Sequence, residues 1–297
     1  MNKSDRLLVI LSFGAIYFIW GSTYLFNKIV VSEVPPFLLG SVRFFSAGII
    51  IMLIATFLRN KPKVKTHEIR NAGIAGILFL TLGNGIAVWS LQYVDSGLTA
   101  LLIAAQPLVL LLMMWILEGK KILMKSMIGI ALGFIGIYLL VFQNEVEAHP
   151  DQWKGFIGIF FCLLTWGYAS LFVAKADLPK NFFVSSGYQM LIGGSLMMVL
   201  SGLLGEDFSS LLGLSVKGKL SMAYLIVFGS IAAFTAFNFL LKRISPEKVA
   251  TNTYINPVVA LILGALVLGE VITWLAVLAA ALLLSGVFFI NSARTKG

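Results

Sequence analysis

Long apolar runs separated by short polar segments fill the chain. A helix needs about 20 mostly apolar residues to cross the hydrocarbon core of a bilayer. Ten windows meet that requirement and are numbered span 1 to span 10: 7–31, 36–58, 71–91, 96–117, 125–143, 153–174, 182–204, 220–241, 249–268 and 273–291. The pattern predicts an all-α polytopic membrane protein with ten transmembrane helices.

The second half of the chain repeats the first. At an offset of 146 residues the Trp-Gly pairs of spans 1 and 6 align, and at an offset of 150 an amide-proline pair recurs in spans 4 and 9. The aligned positions are Trp20-Gly21 with Trp166-Gly167, Arg43 with Gln189, Gly48 with Gly194, Gln106-Pro107 with Asn256-Pro257, Gly119 with Gly269, and Gly136 with Gly286. We predict two five-helix repeats, residues 1–145 and 146–297.

An odd number of spans in each repeat has a topological consequence. The two copies must cross the membrane in opposite directions, and inverted repeats around a midplane site are a feature of secondary transporters. We therefore expect a central cavity, lined by spans 1, 3, 4, 6, 8 and 9, in which a small molecule binds.

Composition agrees with this class, and the basic residues predict the orientation. Hydrophobic residues make up 59% of the 297 positions and charged residues 12%, against about 25% charged residues in a soluble domain. With the N-terminus inside, 17 Lys and Arg residues fall on the cytoplasmic side and 3 on the outer side, as the positive-inside rule requires. Both termini are predicted to be cytoplasmic, and the net charge of +9 reflects contact with the lipid bilayer, not with nucleic acid.

Several motifs resemble those of a known family. The two repeats, the Trp-Gly pair in each, and the "NP" and "LGE" of span 9 are similar to the EamA family of the drug/metabolite transporter superfamily. The stretches most similar to its YedA-like bacterial exporters are "YFIWGSTY" (17–24), "PPFLLGSVRF" (35–44), "GNG" (83–85) and "YINPVVALILGALVLGE" (254–270). The resemblance implies ten helices, export or facilitated movement of small metabolites, and a bacterial inner membrane. Repeat 1 departs from the pattern, because Gly119 is followed by Lys120 and the acidic Glu118 comes one place earlier.

Arg43 is the most conspicuous polar residue within a span. It lies about eight residues into span 2, roughly 10–12 Å deep at 1.5 Å per residue. Its charge suits a substrate with an anionic or carboxylate group. Alternatively, its long side chain snorkels outward or caps helix carbonyls.

The amide-proline pairs predict breaks at mid-span. Pro107 and Pro257 each lie about ten residues into a span and remove a backbone hydrogen bond, so the freed carbonyl must be satisfied by protein or by water. The amides of Gln106 and Asn256 beside the breaks suit a cavity wall, although a purely structural kink is the alternative. Asn252 and Tyr254 add polar groups to the same span 9.

The tryptophans at mid-span have two interpretations. Trp20 and Trp166 are either packing residues or cavity walls, because a buried indole N–H needs an acceptor and the ring offers a stacking face. The other cavity candidates are Tyr24, Trp89 and the two asparagines Asn84 and Asn238, which alternatively hydrogen-bond another helix. Glu118 and Glu270, at span ends, are interpreted as helix-terminal or gating groups.

A pair of glycines in span 5 bears on assembly. Gly129 and Gly133 have the spacing that permits close helix contact. The face serves either internal packing or a homodimer, so a homodimer is a possible partner.

Residue types and motifs that are absent from the spans exclude several kinds of function. No Asp or Glu lies in the middle third of any span, and His67 and His149 fall in loops, which favours uniport or exchange over proton antiport. Neither a Walker A loop nor an HExxH or GxSxG motif occurs, and the single Cys162 with two histidines makes a metal site implausible. We expect no cofactor, no metal and no enzymatic activity.

The predicted function is that of a secondary transporter. It would export small amphipathic or amino-acid-like metabolites by alternating access, through uniport or exchange. The alternatives are a proton-coupled drug/metabolite antiporter and, from another class, a non-transporting membrane receptor or assembly subunit.

Overall fold

A computed structural model of the chain describes residues 3–57, 64–119, 123–142, 151–244, 246–249, 252–253 and 255–292. Within these ranges the structure is helical and contains no β-strand. Seven helical segments are long and apolar enough to cross a membrane: Asp5–Val31, Pro36–Phe57, Thr66–Ser90, Ser96–Glu118, Gln152–Lys175, Phe182–Leu203 and Val216–Leu241. Shorter apolar helices, within Met124–Phe142, Asn256–Leu268 and Trp274–Ser292, occupy spans 5, 9 and 10. The predicted all-α polytopic fold is confirmed.

Two spans begin earlier than hydropathy predicted. Span 3 starts at Thr66 instead of residue 71, and span 8 starts at Val216 instead of residue 220. Their first turns carry Glu68 and Lys217, so an apolar window misses them although the backbone is already helical.

The prolines of spans 4 and 9 begin helices instead of kinking continuous ones. In span 4 the helix Ser96–Ile103 ends, two alanines form a turn, and a second helix runs over Gln106–Glu118. Its counterpart in span 9 is the helix Asn256–Leu268. Each proline sits in the first turn, where a missing N–H costs no intrahelical hydrogen bond.

These two helices also end alike. Both have 13 residues, and each is followed by a glycine in the left-handed conformation, Gly119 with φ 65° and Gly269 with φ 70°. Only glycine adopts that conformation without steric cost, so it terminates a helix at a fixed residue. The matched ends show that the repeat extends to backbone conformation.

The contact between spans 2 and 7 shows that the repeats are inverted. A Cβ added to Gly48 would lie 2.8 Å from Leu191 Cγ, and one added to Gly194 would lie 2.7 Å from the backbone N of Phe45. At the 146-residue offset, each of these contacts becomes the other when the repeats exchange places. Further along the same pair, Gly40 meets Met197, so the two helices run antiparallel.

The contacts between spans 5 and 10 also exchange when the repeats exchange places, here at the 150-residue offset. Gly136 faces Leu283, and Gly286 faces Gly133 in the exchanged contact. Gly286 also approaches Gly129 O, so the glycine face of span 5 packs inside the chain. Of the two sequence interpretations of this face, the structure shows internal packing, and a homodimer remains a prediction.

The glycine contact of spans 5 and 10 is open to a direct test. A Cβ at Gly286 would lie 2.5 Å from Gly129 O, whereas a Cβ at Gly202, in span 7, would meet nothing within 4 Å. We expect Gly286→Ala to destabilise the protein by about 1–3 kcal/mol, the usual cost of overpacking. Gly202→Ala serves as the matched control, since both changes add one methyl group to a helix. Thermal unfolding of the purified protein in detergent measures both, and equal midpoints would contradict the proposed packing.

Candidate functional site

Wide helical turns interrupt three of the spans that surround the centre of the bundle. π-helical segments occur at Ala15–Ile19 in span 1, Ile77–Gly85 in span 3 and Leu225–Ala232 in span 8. Such turns displace backbone carbonyls from their regular partners and are frequent at functional sites. In this protein, side chains from other positions bind several of the displaced carbonyls.

Two of those side chains come from the predicted site. Trp20 Nε1 donates to Gly229 O at 3.2 Å, which satisfies the N–H of a partly buried indole. With its amide nitrogen facing the carbonyls, Asn256 donates to Tyr17 O at 2.7 Å and to Ile16 O at 3.1 Å. The amide oxygen then accepts a hydrogen bond from Asn252 Nδ2 at 3.1 Å.

The glycines of the Trp-Gly pairs let helices of opposite repeats cross closely. A Cβ at Gly21 would lie 2.8 Å from Val259 Cβ, and a Cβ at Gly167 would lie 2.7 Å from Met113 Sδ and 3.9 Å from Val109 Cγ1. Val109 and Val259 are equivalent at the 150-residue offset. Each Trp-Gly span therefore packs against the amide-proline helix of the other repeat. In the second crossing, Gln106 Nε2 also donates to Leu163 O at 3.1 Å.

The two crossings bring the tryptophans together. The rings of Trp20 and Trp166 lie 5.5 Å apart, edge to face at 89°. Phe237 packs on both, at 4.9 Å and 5.5 Å between ring centroids, and Phe79 lies 4.8 Å from Trp166. Edge-to-face geometry is a favourable arrangement of aromatic rings. Trp20, Trp166 and Phe237 form one wall of a cavity.

A cavity of about 110 Å³ lies at this centre, with walls from both repeats. The sequence-predicted site residues that line it are Trp20, Tyr24, Arg43, Asn84, Gln106, Trp166, Asn252 and Asn256. The polar lining residues outside the predicted site are Thr23, Asn27, Thr99, Ser170 and Thr253. Span 2 contributes Arg43 and Phe44, so the lining exceeds the six spans expected.

Arg43 is buried, with 2% of its surface exposed, and it does not snorkel. Its Nε donates to Ser230 Oγ at 2.8 Å, and its Nη1 donates to Asn27 Oδ1 at 3.2 Å. The guanidinium carbon lies 4.6 Å from the centre of the Phe44 ring. No carboxylate of a described residue forms an ion pair with Arg43. The charge is therefore held by neutral oxygens and an aromatic face.

Two polar groups of the lining have no hydrogen-bond partner among the described residues. They are the hydroxyl of Thr99, a residue with no exposed surface, and the amide oxygen of Asn84. A buried polar atom without a partner is costly and is usually paired with protein or with water. In a cavity wall, such atoms are available to an occupant.

Some predicted residues lie elsewhere. Trp89 packs on Tyr93 at 4.9 Å, and Asn238 accepts a hydrogen bond from Gln189 at 3.2 Å, both away from the cavity lining. Pro107 and Pro257 are buried at helix starts, and Tyr254 lies outside the described residues. Sequence reasoning could not tell which face of a uniformly apolar span Trp89 or Asn238 would occupy.

The two acidic candidates at span ends bind different partners. Glu118 pairs with Lys175 of span 6. Glu270 accepts hydrogen bonds from the backbone N and hydroxyl of Ser96, at 2.9 and 2.7 Å, and from the backbone N of Gly97 at 3.0 Å. Both are helix-end groups in this structure. No cluster of three His, Cys, Asp or Glu residues suited to a metal occurs in the described ranges.

The family model described as EamA-like transporter family matches residues 7–142 and again residues 153–292. The chain belongs to the EamA-like transporter family. It is 35% identical over 266 residues to the uncharacterized inner membrane transporter YedA of Escherichia coli (strain K12), which covers 88% of this chain and 84% of that protein. It is also 22% identical to the uncharacterized transporter YoaV of Bacillus subtilis (strain 168), over 94% of this chain and 95% of that protein.

The fold also occurs in a solved structure. A crystal structure matches with a TM-score of 0.70 at 19% identity, over 97% of this chain and 99% of that one. The resemblance drawn from the sequence motifs is thus confirmed, and the chain is a multi-pass membrane protein of a transporter family.

Accessibility of the cavity to water can be measured with cysteine variants. Thr99 and Ser201 are both fully buried hydroxyl residues without a partner among the described residues, but only Thr99 lines the cavity. In a Cys162→Ala background, we expect Thr99→Cys to react with a water-soluble maleimide at least tenfold faster than Ser201→Cys. Labelling of membranes, followed by mass measurement, reports the rates. Equal rates would show that the cavity is not reached by water.

Proposed function

We propose that this protein is a secondary transporter that exports small amphipathic or amino-acid-like metabolites by alternating access. It would act in the bacterial inner membrane with both termini in the cytoplasm. Support comes from the family, from the named transporters among its relatives and from the basic residues that predict the orientation.

The observation that carries the proposal is the cavity between the inverted repeats. Trp20 and Trp166, equivalent residues near the middle of their spans, meet at its wall. A site made jointly by two inverted repeats is exposed to one side or the other when one repeat rocks against the other. A receptor or assembly subunit would not require such a site.

The lining residues also bear on the driving force. Among those that the structure describes there is no Asp, Glu or His. A proton-coupled antiporter normally carries a titratable group at the depth of its site. We therefore favour uniport or exchange over proton antiport.

A direct test combines a screen with reconstitution. Metabolite export from cells that overexpress the protein and from deletion cells identifies a cargo, and counterflow of that cargo into proteoliposomes without ATP measures transport. We expect Trp166→Ala to reduce counterflow at least tenfold, since the ring forms the cavity wall. Trp115→Ala, at a residue of span 4 with 51% of its surface exposed, is the matched control.

The outcomes separate the alternatives. Export without counterflow would favour a role as a subunit of another system. Counterflow that depends on a pH gradient would favour the antiporter. Equal losses in both tryptophan variants, or none in either, would contradict the assignment of the cavity as the transport site.

A further inference from the structure

The charge of the central cavity is unbalanced. Among the lining residues that the structure describes, Arg43 is the only one that is charged at neutral pH. Its hydrogen-bond partners, Asn27 and Ser230, are neutral. A buried charge held only by neutral groups is costly, and a desolvated opposite charge in good geometry offsets that cost.

One donor of the guanidinium is available to such a partner. Gly229, which has no side chain, lets its backbone approach Arg43 Nη2, because a Cβ there would lie only 3.0 Å from that atom. Arg43 Nη2 makes no hydrogen bond to a described residue, whereas Nε and Nη1 both do. A guanidinium presents its donors in a planar fork that matches a carboxylate.

We propose that the transported molecule carries a carboxylate or a similar anionic group that pairs with Arg43, while its apolar part contacts the aromatic wall. This inference rests on the proposed transport function and deepens it by naming the charge of the substrate. The aromatic rings of Trp20, Trp166 and Phe237 provide the apolar contact, and Thr99 and Asn84 provide neutral polar contacts.

Three probes of similar shape test the charge preference. Benzoate, benzamide and benzylamine share one ring and differ in carrying a negative, a neutral or a positive group at neutral pH. Binding to the purified protein is followed by the quenching of tryptophan fluorescence and by the shift of the melting temperature. We expect benzoate to bind at least tenfold more tightly than benzamide, a difference of about 1.4 kcal/mol.

The variants distinguish Arg43 from other cations. Arg43→Gln should abolish the preference for benzoate over benzamide. Arg243→Gln should retain it, because Arg243 stacks on Phe182 and Phe239 and does not line the cavity. If wild-type protein binds benzamide or benzylamine as tightly as benzoate, or binds none of the three, the anionic substrate is overturned. Counterflow of the screened cargo would still decide separately whether the protein transports.

A second observation concerns one face of the bundle. Three glutamates at this face bind the start of a helix, or the residue just before it, in the opposite repeat. Glu206 accepts from the backbone N of Phe37 at 3.2 Å and of Leu38 at 2.7 Å, at the start of span 2. Glu270 holds the start of span 4 in the same manner, through Ser96 and Gly97.

Glu33 completes the set from the other repeat. Its carboxylate accepts from the backbone N of Ser215 at 2.7 Å and from the Ser215 hydroxyl at 2.8 Å, directly before span 8. These two hydrogen bonds hold the pKa of Glu33 below its usual value, so it is ionised at neutral pH. A carboxylate at a helix N-terminus is stabilised by the helix dipole and by the free N–H groups.

The opposite face is closed by weaker contacts. There the polar links between repeats include Glu118 with Lys175 and His67 with Asp177. Lys175, His67 and Asp177 are exposed to solvent, and exposed ion pairs contribute little to stability. The three glutamates lie at the face that the basic residues predict to be outside.

We infer that Glu33, Glu206 and Glu270 together form the outer gate, which keeps the two repeats closed on that side until transport opens it. Any movement that separates the repeats at this face must break these carboxylate contacts. The gate and the anion site are independent, because none of the three glutamates lines the cavity.

Side-specific labelling of the cavity tests the gate. In right-side-out vesicles carrying Thr99→Cys and Cys162→Ala, an impermeant maleimide is added outside. We expect Glu33→Ala, Glu206→Ala and Glu270→Ala each to raise the labelling rate about fivefold, the equivalent of one lost helix cap. Glu118→Ala, at the opposite face, is the matched control and should leave this rate unchanged.

Two further measurements keep the result decisive. Leu212→Cys, exposed in the loop before span 8, identifies which side of the membrane bears the glutamates. Glu→Gln variants of the three positions, which keep the side-chain shape, should give a smaller increase in the same direction. Unchanged labelling, or an equal increase from both sides of the membrane, would overturn the gate and indicate a purely structural role.

Discussion

The close crossing of each Trp-Gly span over the amide-proline helix of the other repeat is the contact on which the site depends. In a bilayer, helices gain little from burying apolar surface and associate through close packing and hydrogen bonds. Gly21 and Gly167 make both crossings close enough for that packing. The same crossings fix Trp20 and Trp166 edge to face, so the central wall is a product of the packing between repeats.

The two repeats differ at one buried polar position of spans 2 and 7. At the 146-residue offset Arg43 corresponds to Gln189, which is buried and binds Ser185 and Asn238 within repeat 2. Arg43 instead reaches across to Ser230 and lines the cavity. Equivalent positions of the two repeats thus hold a neutral amide, Gln189, that does not line the cavity and a charged side chain, Arg43, that does. The cavity therefore carries a positive charge on the side of repeat 1 only.

The sequence predicted the elements far better than the faces of those elements. Hydropathy located the seven long apolar helices and the three shorter ones, because the requirement of the bilayer for apolar length is local. The repeat was visible because glycine, tryptophan and proline mark positions with specific packing or backbone demands. Asn27 was missed because the polar residues of span 1, such as Ser22, Thr23 and Lys28, do not share one helical face, and Thr99 was missed because span 4 is almost entirely apolar. Glu33 and Glu206 were missed because their partners lie more than 150 residues away.

The arrangement around span 8 links the site to the movement proposed for the repeats. Trp20 and Arg43, both from repeat 1, bind Gly229 and Ser230 of repeat 2. These two acceptors lie within a π-helical segment, where the hydrogen-bond register of the backbone is already displaced. A carboxylate bound side-on would use Nη2, which has no partner among the described residues, together with Nε, which now donates to Ser230. Substrate binding would then weaken a contact between the repeats at the cavity itself, which is the differential interaction that a ligand needs to shift a conformational equilibrium.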